Sequence, residues 1–190
     1  MNNIAIFASG SGSNAENIIH FFRPSTRNKV KLVLCNKPGA KVIERAQNLK
    51  TETFIFSRED LYSSEIVIEK LTEYKINYII LAGFLWLVPK NLIETFPNAI
   101  INIHPALLPK YGGKGMYGSK VHETVIINGE KESGITIHYV NEKYDEGNII
   151  FQAKCKIVEG ETAESLAEKI HELEYKHFPR VIAEVIEGKR

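Results

Sequence analysis

The chain has 190 residues, of which 44% are hydrophobic and 25% are charged, and its formal net charge at pH 7 is +1. This length and composition are typical of one compact globular domain, and so small a net charge gives no overall field that would attract nucleic acid or an anionic membrane. No stretch has the length of a membrane span, and the N-terminus lacks the regions of a signal peptide. Cys35 and Cys155 lie in apolar, strand-like runs, so we expect buried free thiols and a cytoplasmic protein.

The first half of the chain alternates between strand and helix patterns. Five short apolar runs are predicted to be strands, and the first of them to be buried on both faces. They are residues 3–8, 30–35, 53–56, 78–81 and 100–103. Between them, helical spacing marks segments 15–22 and 42–49 and a longer helix from about Glu59 to Tyr74. This alternation predicts an α/β fold with a Rossmann-like, mostly parallel twisted sheet flanked by helices.

The pattern changes in the second half. A helix is predicted over 119–128, and two late strands, 134–140 and 148–158, are predicted to pair in antiparallel fashion. A long C-terminal helix from Thr162 carries Leu166, Ile170, Leu173 and Val181 on one face. We expect a single domain over 1–190, with an N-terminal half of about 1–100 and a C-terminal half of about 101–190.

A glycine-rich turn, residues 10–14, follows the first strand and precedes the first helix. Glycines let a ligand approach the backbone, and a helix N-terminus supplies free N–H groups and the positive end of the dipole. Gly12, Ser13 and Asn14 are therefore candidates for binding a phosphate, and Asn14 is also a candidate helix cap. A dinucleotide site and a purely structural turn are the alternatives. The second strand ends without the carboxylate that would hold a ribose, which favours a single phosphate over NAD.

The stretch 98–118 carries the strongest candidates for chemistry. Asn102 and His104 lie at the end of an apolar strand, and period-two geometry aims both side chains the same way. A loop with four glycines follows. An amide donor beside an imidazole can stabilise an oxyanion while the imidazole manages protons.

Further candidates for the same cluster come from more distant parts of the sequence. The chain has only two aspartates, and Asp145 lies in a turn between the late strands, from which it could fold back over His104. His138 could point into a cleft, and His122 could face either way. The other histidines read as surface or structural residues. No cluster has the spacing of metal ligands, so no metal is expected.

Four motifs together resemble the formyltransferase superfamily over essentially the whole chain. They are the SGSGSN opening (9–14), LAGF (81–84), NIHPALLP (102–109) and the Asp145-x-Gly147 turn. The NIHPxLLP segment is specific to the superfamily. The opening narrows the resemblance to the glycinamide ribonucleotide branch or to the related formyltetrahydrofolate hydrolases.

The resemblance implies formyl transfer from 10-formyltetrahydrofolate to the amine of glycinamide ribonucleotide, a step of purine biosynthesis. It implies Asn102, His104 and Asp145 as the catalytic trio. The N-terminal half would hold the substrate phosphate and the C-terminal half would carry the folate and catalytic residues. Its further implied contacts are as follows: Gly12, Ser13 and Asn14 with the substrate phosphate, Glu174 with the glycinamide end, and Leu85, Trp86, Leu87, Val88, Asn141 and the position of Ser64 with the folate. His138 and Lys110 are kept as additional candidate site residues.

The chain departs from the family pattern at two places. Ser64 stands where many relatives carry an arginine that meets the folate tail, and Arg58 is a possible substitute. Residues 85–88 lack the arginine that relatives have there, and Trp86 could equally serve packing.

Two alternatives stay open from the sequence. One is a hydrolase of the same superfamily, which the absence of an N-terminal regulatory domain disfavours, and the other is a nucleotide-binding module. The expected partners are the two small-molecule substrates, with no nucleic acid or membrane, and a homodimer is left open.

Overall fold

Seven strands form one sheet in the order β3-β2-β1-β4-β5-β6-β7 in a computed structural model that describes residues 1–189. Their bounds are β1 Asn2–Ala8, β2 Asn28–Cys35, β3 Glu52–Ile55, β4 Tyr78–Leu81, β5 Ile100–His104, β6 Glu132–Tyr139 and β7 Ile149–Lys156. β1 pairs in parallel with β2 and β4, β2 pairs in parallel with β3, and β6 pairs antiparallel with β7. The predicted Rossmann-like, mostly parallel sheet with late antiparallel strands is confirmed.

Helices connect these strands and end the chain. Their bounds are α1 Ser13–Phe22, α2 Lys41–Asn48, α3 Arg58–Tyr62, α4 Ile66–Glu73, α5 Lys90–Thr95, α6 Ser119–Ile127 and α7 Ala163–Ile186. The long C-terminal helix is as predicted. Across residues 1–189, no helix combines a bilayer-spanning length with the apolar composition that a membrane requires.

The chain divides into two compact units, the first ending at Ile101 and the second beginning at Asn102. In the first unit, residues 4–8 of β1 are fully buried, as the continuous apolar run predicts. The Phe7 ring packs edge-to-face against Phe56 and Phe84, with ring centroids 5.7 and 5.4 Å apart. This aromatic packing fills the space at the carboxyl end of β1, next to the glycine turn.

The core of the second unit lies between β6 and α7. Ile135 and Ile137 of β6 are fully buried, and so is a row of α7 residues that recur every four positions: Leu166, Ile170, Phe178 and Ile182. Glu174 belongs to the same row and is also buried. Leu166, Ile170 and Val181 are buried as predicted, while Leu173 is half-buried at the margin of this face.

The predicted helix from Glu59 to Tyr74 is wrong in its continuity, since it is two helices, α3 and α4. Ser57 and Asp60 form a reciprocal capping box that starts α3. The Ser64 hydroxyl donates to the Asp60 carbonyl at 3.0 Å and accepts from the Ile66 amide at 3.3 Å. A serine side chain that bonds the neighbouring backbone competes with the hydrogen bonds of a helix, so the helix is interrupted between Tyr62 and Ile66.

The sequence offers Asn14 as a candidate cap of α1, but Asn14 lies inside this helix and is not its N-cap. The helix begins at Ser13, and Gly12 is the N-cap, in a left-handed conformation with φ 75°. The short helix α5 after Pro89 was not predicted. Cys35 and Cys155 are free, as expected, but only Cys35 is buried, while Cys155 is half-buried on the strand β7.

Candidate active site

Asn102 and His104 lie two positions apart on β5 and face the same side of the strand, as the period-two argument predicts. Both meet Asp145, the turn residue from the β6–β7 connection. Asn102 Nδ2 donates to Asp145 Oδ1 at 3.4 Å, and His104 Nδ1 lies 3.5 Å from Asp145 Oδ2. All three belong to the second unit, so an amide, an imidazole and a carboxylate converge within it.

His104 is buried, with 4% of its surface exposed. Its Nε2–H donates to the main-chain carbonyl of Tyr111 at 2.7 Å, a direction fixed by chemistry because a carbonyl only accepts. Burial lowers the pKa of His104 below its ordinary value, while the charge of Asp145 and the Tyr111 carbonyl act in the opposite direction. The resting imidazole therefore presents an Nδ1 that gains a proton more readily when further negative charge is placed beside it.

Asp145 is held in a conformation that suits a short turn. Its φ is 57°, a left-handed value that aspartate tolerates, and its Oδ2 accepts from the Gly113 amide at 2.9 Å. Burial by itself raises the pKa of Asp145, but the hydrogen bond and charge of His138 in its protonated form, the charge of His104 and the Gly113 amide outweigh it and lower the pKa. The carboxylate is thus kept ionised although its side chain is only 11% exposed.

His138 is the fourth member of the cluster. It lies on β6, 2% exposed, with Nε2 3.1 Å from Asn102 Nδ2 and 3.6 Å from Asp145 Oδ1. Its Nδ1–H donates to the Tyr139 carbonyl at 2.8 Å, which leaves Nε2 as an acceptor in the neutral ring. The amide nitrogen of Asn102 therefore donates to both His138 and Asp145.

A buried threonine anchors the segment after His104. The Thr136 hydroxyl donates to the Ala106 carbonyl at 2.7 Å and accepts from the Leu108 amide at 3.0 Å. Gln152 Nε2 donates to the same hydroxyl at 2.9 Å and to the Leu108 carbonyl at 3.0 Å. β6 and β7 thereby fix the irregular backbone that follows β5.

Two glycines allow the surrounding loops to close on the cluster. A Cβ at Gly147 would lie 1.6 Å from the Tyr139 carbonyl oxygen and 3.4 Å from His138 Nδ1. A Cβ at Gly112 would lie 2.5 Å from a Leu108 methyl and 3.2 Å from the Asp145 Cβ. Any side chain at either position would displace a neighbour of the cluster.

Glu174 is buried on α7, and its Oε2 lies 2.9 Å from Nδ1 of His171 on the next turn back along the same helix. The bond to Glu174 raises the pKa of His171. The charge of Glu174 also acts on His104 and on His122, where burial lowers the pKa of the imidazole. His122 is buried, a question that the sequence had left open.

In the first unit, the glycine turn lies directly before the N-terminus of α1. Gly12 immediately precedes α1, and a Cβ there would lie 2.5 Å from the Cβ of Val42. Ser13 and Asn14 form the start of α1, where the amides of the first turn have no acceptor within the helix. Their position is that of a helix N-terminus able to receive a phosphate.

The segment 85–88, also in the first unit, is pinned at two main-chain groups. The Leu85 amide donates to the Ser9 hydroxyl at 3.1 Å, and the Tyr62 hydroxyl donates to the Leu87 carbonyl at 2.7 Å. The Trp86 ring lies 6.3 Å from the Tyr62 ring, and the Arg58 guanidinium lies 5.1 Å from the centroid of Tyr62 and 5.5 Å from that of Trp86. Leu85, Trp86 and Leu87 are half-buried and Val88 is buried, so Trp86 does take part in packing.

The remaining candidates make local contacts. Ser64 bonds the backbone between α3 and α4, as described above. The Asn141 side chain accepts from the Lys143 amide at 2.9 Å within the β6–β7 turn, near Asp145 in sequence. Lys110 is largely exposed and its Nζ donates to Glu130 at 2.8 Å, so it does not reach the cluster.

The arrangement can polarise a carbonyl and move a proton beside it. Amide and imidazole groups can meet an oxygen that gains negative charge, and an ionised carboxylate beside them can accept and return a proton.

Sequence reasoning missed the main-chain partners, the Tyr111 carbonyl and the Gly113 amide. Only the glycine content of the loop gave a signal for them. Within the described residues, His, Cys, Asp and Glu form no group of three or more that could hold a metal ion.

The chain is similar in sequence to known proteins over nearly its whole length. Residues 2–182 match the family model described as formyl transferase. The chain is 37% identical to the phosphoribosylglycinamide formyltransferase of Bacillus subtilis (strain 168), over 98% of this chain and 95% of that protein. It is also 37% identical to the chloroplastic phosphoribosylglycinamide formyltransferase of Arabidopsis thaliana, over 98% of this chain and 66% of that protein, so it spans about two thirds of the plant relative.

A solved structure has the same fold. The crystal structure of glycinamide ribonucleotide transformylase 1 from Symbiobacterium toebii superposes with a TM-score of 0.90 at 31% identity. The superposition covers 99% of this chain and 89% of that one. The similarity thus extends over nearly the whole length of both chains.

Proposed function

The chain belongs to the formyl transferase family, and from this we propose that it transfers a formyl group from 10-formyltetrahydrofolate to the amine of glycinamide ribonucleotide, a step of purine biosynthesis. The observation that carries the proposal is the convergence of Asn102 and His104 on Asp145 in the second unit. The names of the similar enzymes favour transfer to an amine over hydrolysis. The two small-molecule substrates are the partners, and the formyl-folate is a co-substrate rather than a resident cofactor.

The reaction is a direct attack without a covalent enzyme intermediate. The amine nitrogen forms a bond to the formyl carbon, and the carbonyl electron pair moves to the formyl oxygen. Asn102 supplies an amide N–H to the oxygen. Its Nδ2 now contacts His138 Nε2 at 3.1 Å and Asp145 Oδ1 at 3.4 Å, and the longer bond to Asp145 is the weaker of the two. In its protonated form His104 supplies Nδ1–H, which is free to bond the oxygen because its 3.5 Å spacing from Asp145 exceeds a hydrogen bond.

Proton movement completes the exchange. The attacking nitrogen must lose a proton and the folate nitrogen must gain one as the carbon–nitrogen bond to the folate breaks. Asp145, kept ionised by its neighbours, accepts the first proton and supplies the second, directly or through water. Its negative charge also stabilises the imidazolium of His104 that faces the oxyanion.

Binding of the substrates is proposed by unit. In the first unit, Gly12, Ser13 and Asn14 hold the substrate phosphate, which the helix N-terminus favours electrostatically. The segment of Leu85, Trp86, Leu87 and Val88 contributes to the folate site. In the second unit, Asn141 contributes to the folate site and the buried carboxylate of Glu174 meets the glycinamide end.

Ser64 carries no positive charge for the folate tail, and its hydroxyl is engaged in bonds to the local backbone. Arg58 is the substitute that we propose, since this residue is exposed and its guanidinium lies over the Tyr62 and Trp86 rings. Free cysteines accord with a reducing compartment, and we propose a cytoplasmic location. A homodimer stays a prediction.

Product analysis tests the proposal. The purified chain is incubated with 10-formyltetrahydrofolate, with and without glycinamide ribonucleotide, and both formyl-glycinamide ribonucleotide and formate are measured. Transfer predicts the formylated nucleotide and little formate. Formate released at the same rate without the amine would instead identify a hydrolase. Calorimetric titration with NADH and with a reduced folate separates both outcomes from a nucleotide-binding module, which would bind NADH alone.

A further inference from the structure

The residue that positions the His104 ring has an unusual backbone conformation. Tyr111 has φ 58°, in the left-handed region that bulky residues rarely adopt. Such a conformation persists only where the surroundings hold it, and it is common next to active sites. Its carbonyl is the acceptor for His104 Nε2–H at 2.7 Å, so the unusual residue lies in direct contact with the proposed catalytic imidazole.

The Tyr111 side chain is held by two hydrogen bonds at its hydroxyl. Its hydroxyl donates to Glu130 Oε1 at 2.8 Å and accepts from Asn128 Nδ2 at 3.1 Å. Both partners lie in the turn that follows α6. Lys110 Nζ donates to the same Glu130 oxygen at 2.8 Å, so the carboxylate is held in place from two directions.

We propose that Tyr111 is a positioning residue whose tethered hydroxyl holds its main-chain carbonyl against His104 Nε2, so that Nδ1 is the ring atom offered to the reacting oxygen. The carbonyl accepts and never donates, hence it selects the ring form that carries hydrogen on Nε2. With Nε2 occupied, the atom facing Asp145 is the only one left to gain or give a proton. The inference rests on the proposed transfer reaction for its catalytic consequence, but the choice of tautomer does not.

Lys110, a candidate from the sequence, lies outside the cluster and is linked to it through this series of contacts. It contacts Glu130, which contacts Tyr111, which contacts His104. A small displacement of a catalytic group can cost up to about 10²-fold in rate, so loosening this chain of contacts reaches the chemistry without touching a substrate.

The test is Tyr111→Phe, with Tyr117→Phe as the matched control. Tyr117 is in the same glycine-rich loop and is 54% exposed, so it loses a hydroxyl in solvent. Proteins labelled with ¹⁵N-histidine are compared by two-bond ¹H–¹⁵N spectra at a pH well above the His104 pKa. The His104 signals are assigned from their loss in His104→Gln. Formyl-transfer kinetics are measured on the same proteins.

We expect the wild type and Tyr117→Phe to show a single His104 tautomer with hydrogen on Nε2. Tyr111→Phe should show a mixture of both tautomers. Its kcat should fall roughly 10-fold, with KM for both substrates changed by less than about twofold, since binding groups are untouched. If Tyr111→Phe does not fold, Glu130→Ala removes the same acceptor and should give the same spectrum.

An unchanged tautomer overturns the proposal, whether or not kcat falls, because the hydroxyl would then act only on loop stability. A mixed tautomer with wild-type kcat also overturns it. If no protein, the wild type included, forms formyl-glycinamide ribonucleotide, the proposed function fails. The spectra would still decide whether Tyr111 fixes the ring.

Discussion

Asn102 Nδ2 lies 3.1 Å from His138 Nε2, and this contact decides which end of the Asn102 amide faces Asp145. In the neutral ring His138 donates from Nδ1 to the Tyr139 carbonyl, so its Nε2 accepts. The amide nitrogen must therefore point towards both the imidazole and the carboxylate. An amide turned the other way would place an oxygen against Asp145 and have no N–H for a developing oxyanion.

The first prediction concerns His138. His138→Leu removes the acceptor and should lower kcat roughly 10-fold, because the Asn102 amide loses the group that orients it. His138→Gln keeps a carbonyl acceptor and should recover part of the loss. Steady-state kinetics of both variants check this, and equal losses in the two would show that volume and not hydrogen bonding matters at this position.

The second prediction concerns the two oxyanion donors. Asn102→Ala and His104→Ala should each lower kcat by about 10²–10³, the usual cost of losing one such donor. The control is Asn148→Ala, which removes an exposed amide from the start of the β6–β7 pair. Circular dichroism and thermal unfolding verify the fold of each variant. Near-wild-type turnover in either of the first two would remove that residue from the mechanism.

The third prediction concerns the charge of Asp145. Its carboxylate raises the pKa of His104 against the lowering effect of burial. Asp145→Asn should therefore lower the His104 pKa further, so that the imidazolium is lost at a lower pH than in the wild type. Titration of the His104 signals by NMR measures the shift directly. A rise of the His104 pKa in the variant would contradict the electrostatic account.

The fourth prediction concerns the anchor of the segment after β5. Thr136→Val keeps the shape of the side chain but removes its bonds to Ala106 and Leu108. The free energy of unfolding should fall by roughly 1–3 kcal/mol for each buried group left unsatisfied. Ser133→Ala on the same strand is the control, since its buried hydroxyl has no hydrogen-bond partner in the described structure and should be lost without cost. Urea unfolding of both variants gives the comparison.

The sequence was sufficient for the sheet and for the orientation of β5 residues, because both follow from periodicity. Asn102 and His104 share a face through the two-residue repeat of a strand. The predicted helix from Glu59 to Tyr74 is interrupted for a local reason, because Ser64 bonds its own backbone. Glu174 occupies a buried position that hydropathy assigns to an apolar residue.

The contacts around the cluster could not be read from the residues alone. Asp145 is more than forty positions from Asn102 in sequence, so the residues alone leave open whether its turn folds back over the strand, and the resemblance to a family supplied the pairing. The Tyr111 carbonyl and the Gly113 amide are main-chain groups, which every residue has. Their role depends on where the loop closes, and side-chain identity carries no record of that.

The last prediction concerns Gly12, for which the chain offers a close control. Gly12 and Gly39 have nearly equal φ values, 75° and 76°. A Cβ at Gly12 would lie 2.5 Å from Val42, whereas nothing lies within 4 Å of a Cβ at Gly39. Both substitutions to alanine incur the left-handed strain of about 1–2 kcal/mol, but only Gly12→Ala adds a steric clash between the glycine turn and α2.

Gly12→Ala should therefore be less stable than Gly39→Ala by a further 1–3 kcal/mol, roughly the cost of overpacking. It should also lose the rise in melting temperature that glycinamide ribonucleotide gives to the wild type, because the turn can no longer hold its shape around a phosphate. Gly39→Ala should keep that rise. Thermal unfolding with and without the nucleotide measures both effects. Equal stabilisation of the two variants by the nucleotide would place the phosphate elsewhere than at the N-terminus of α1.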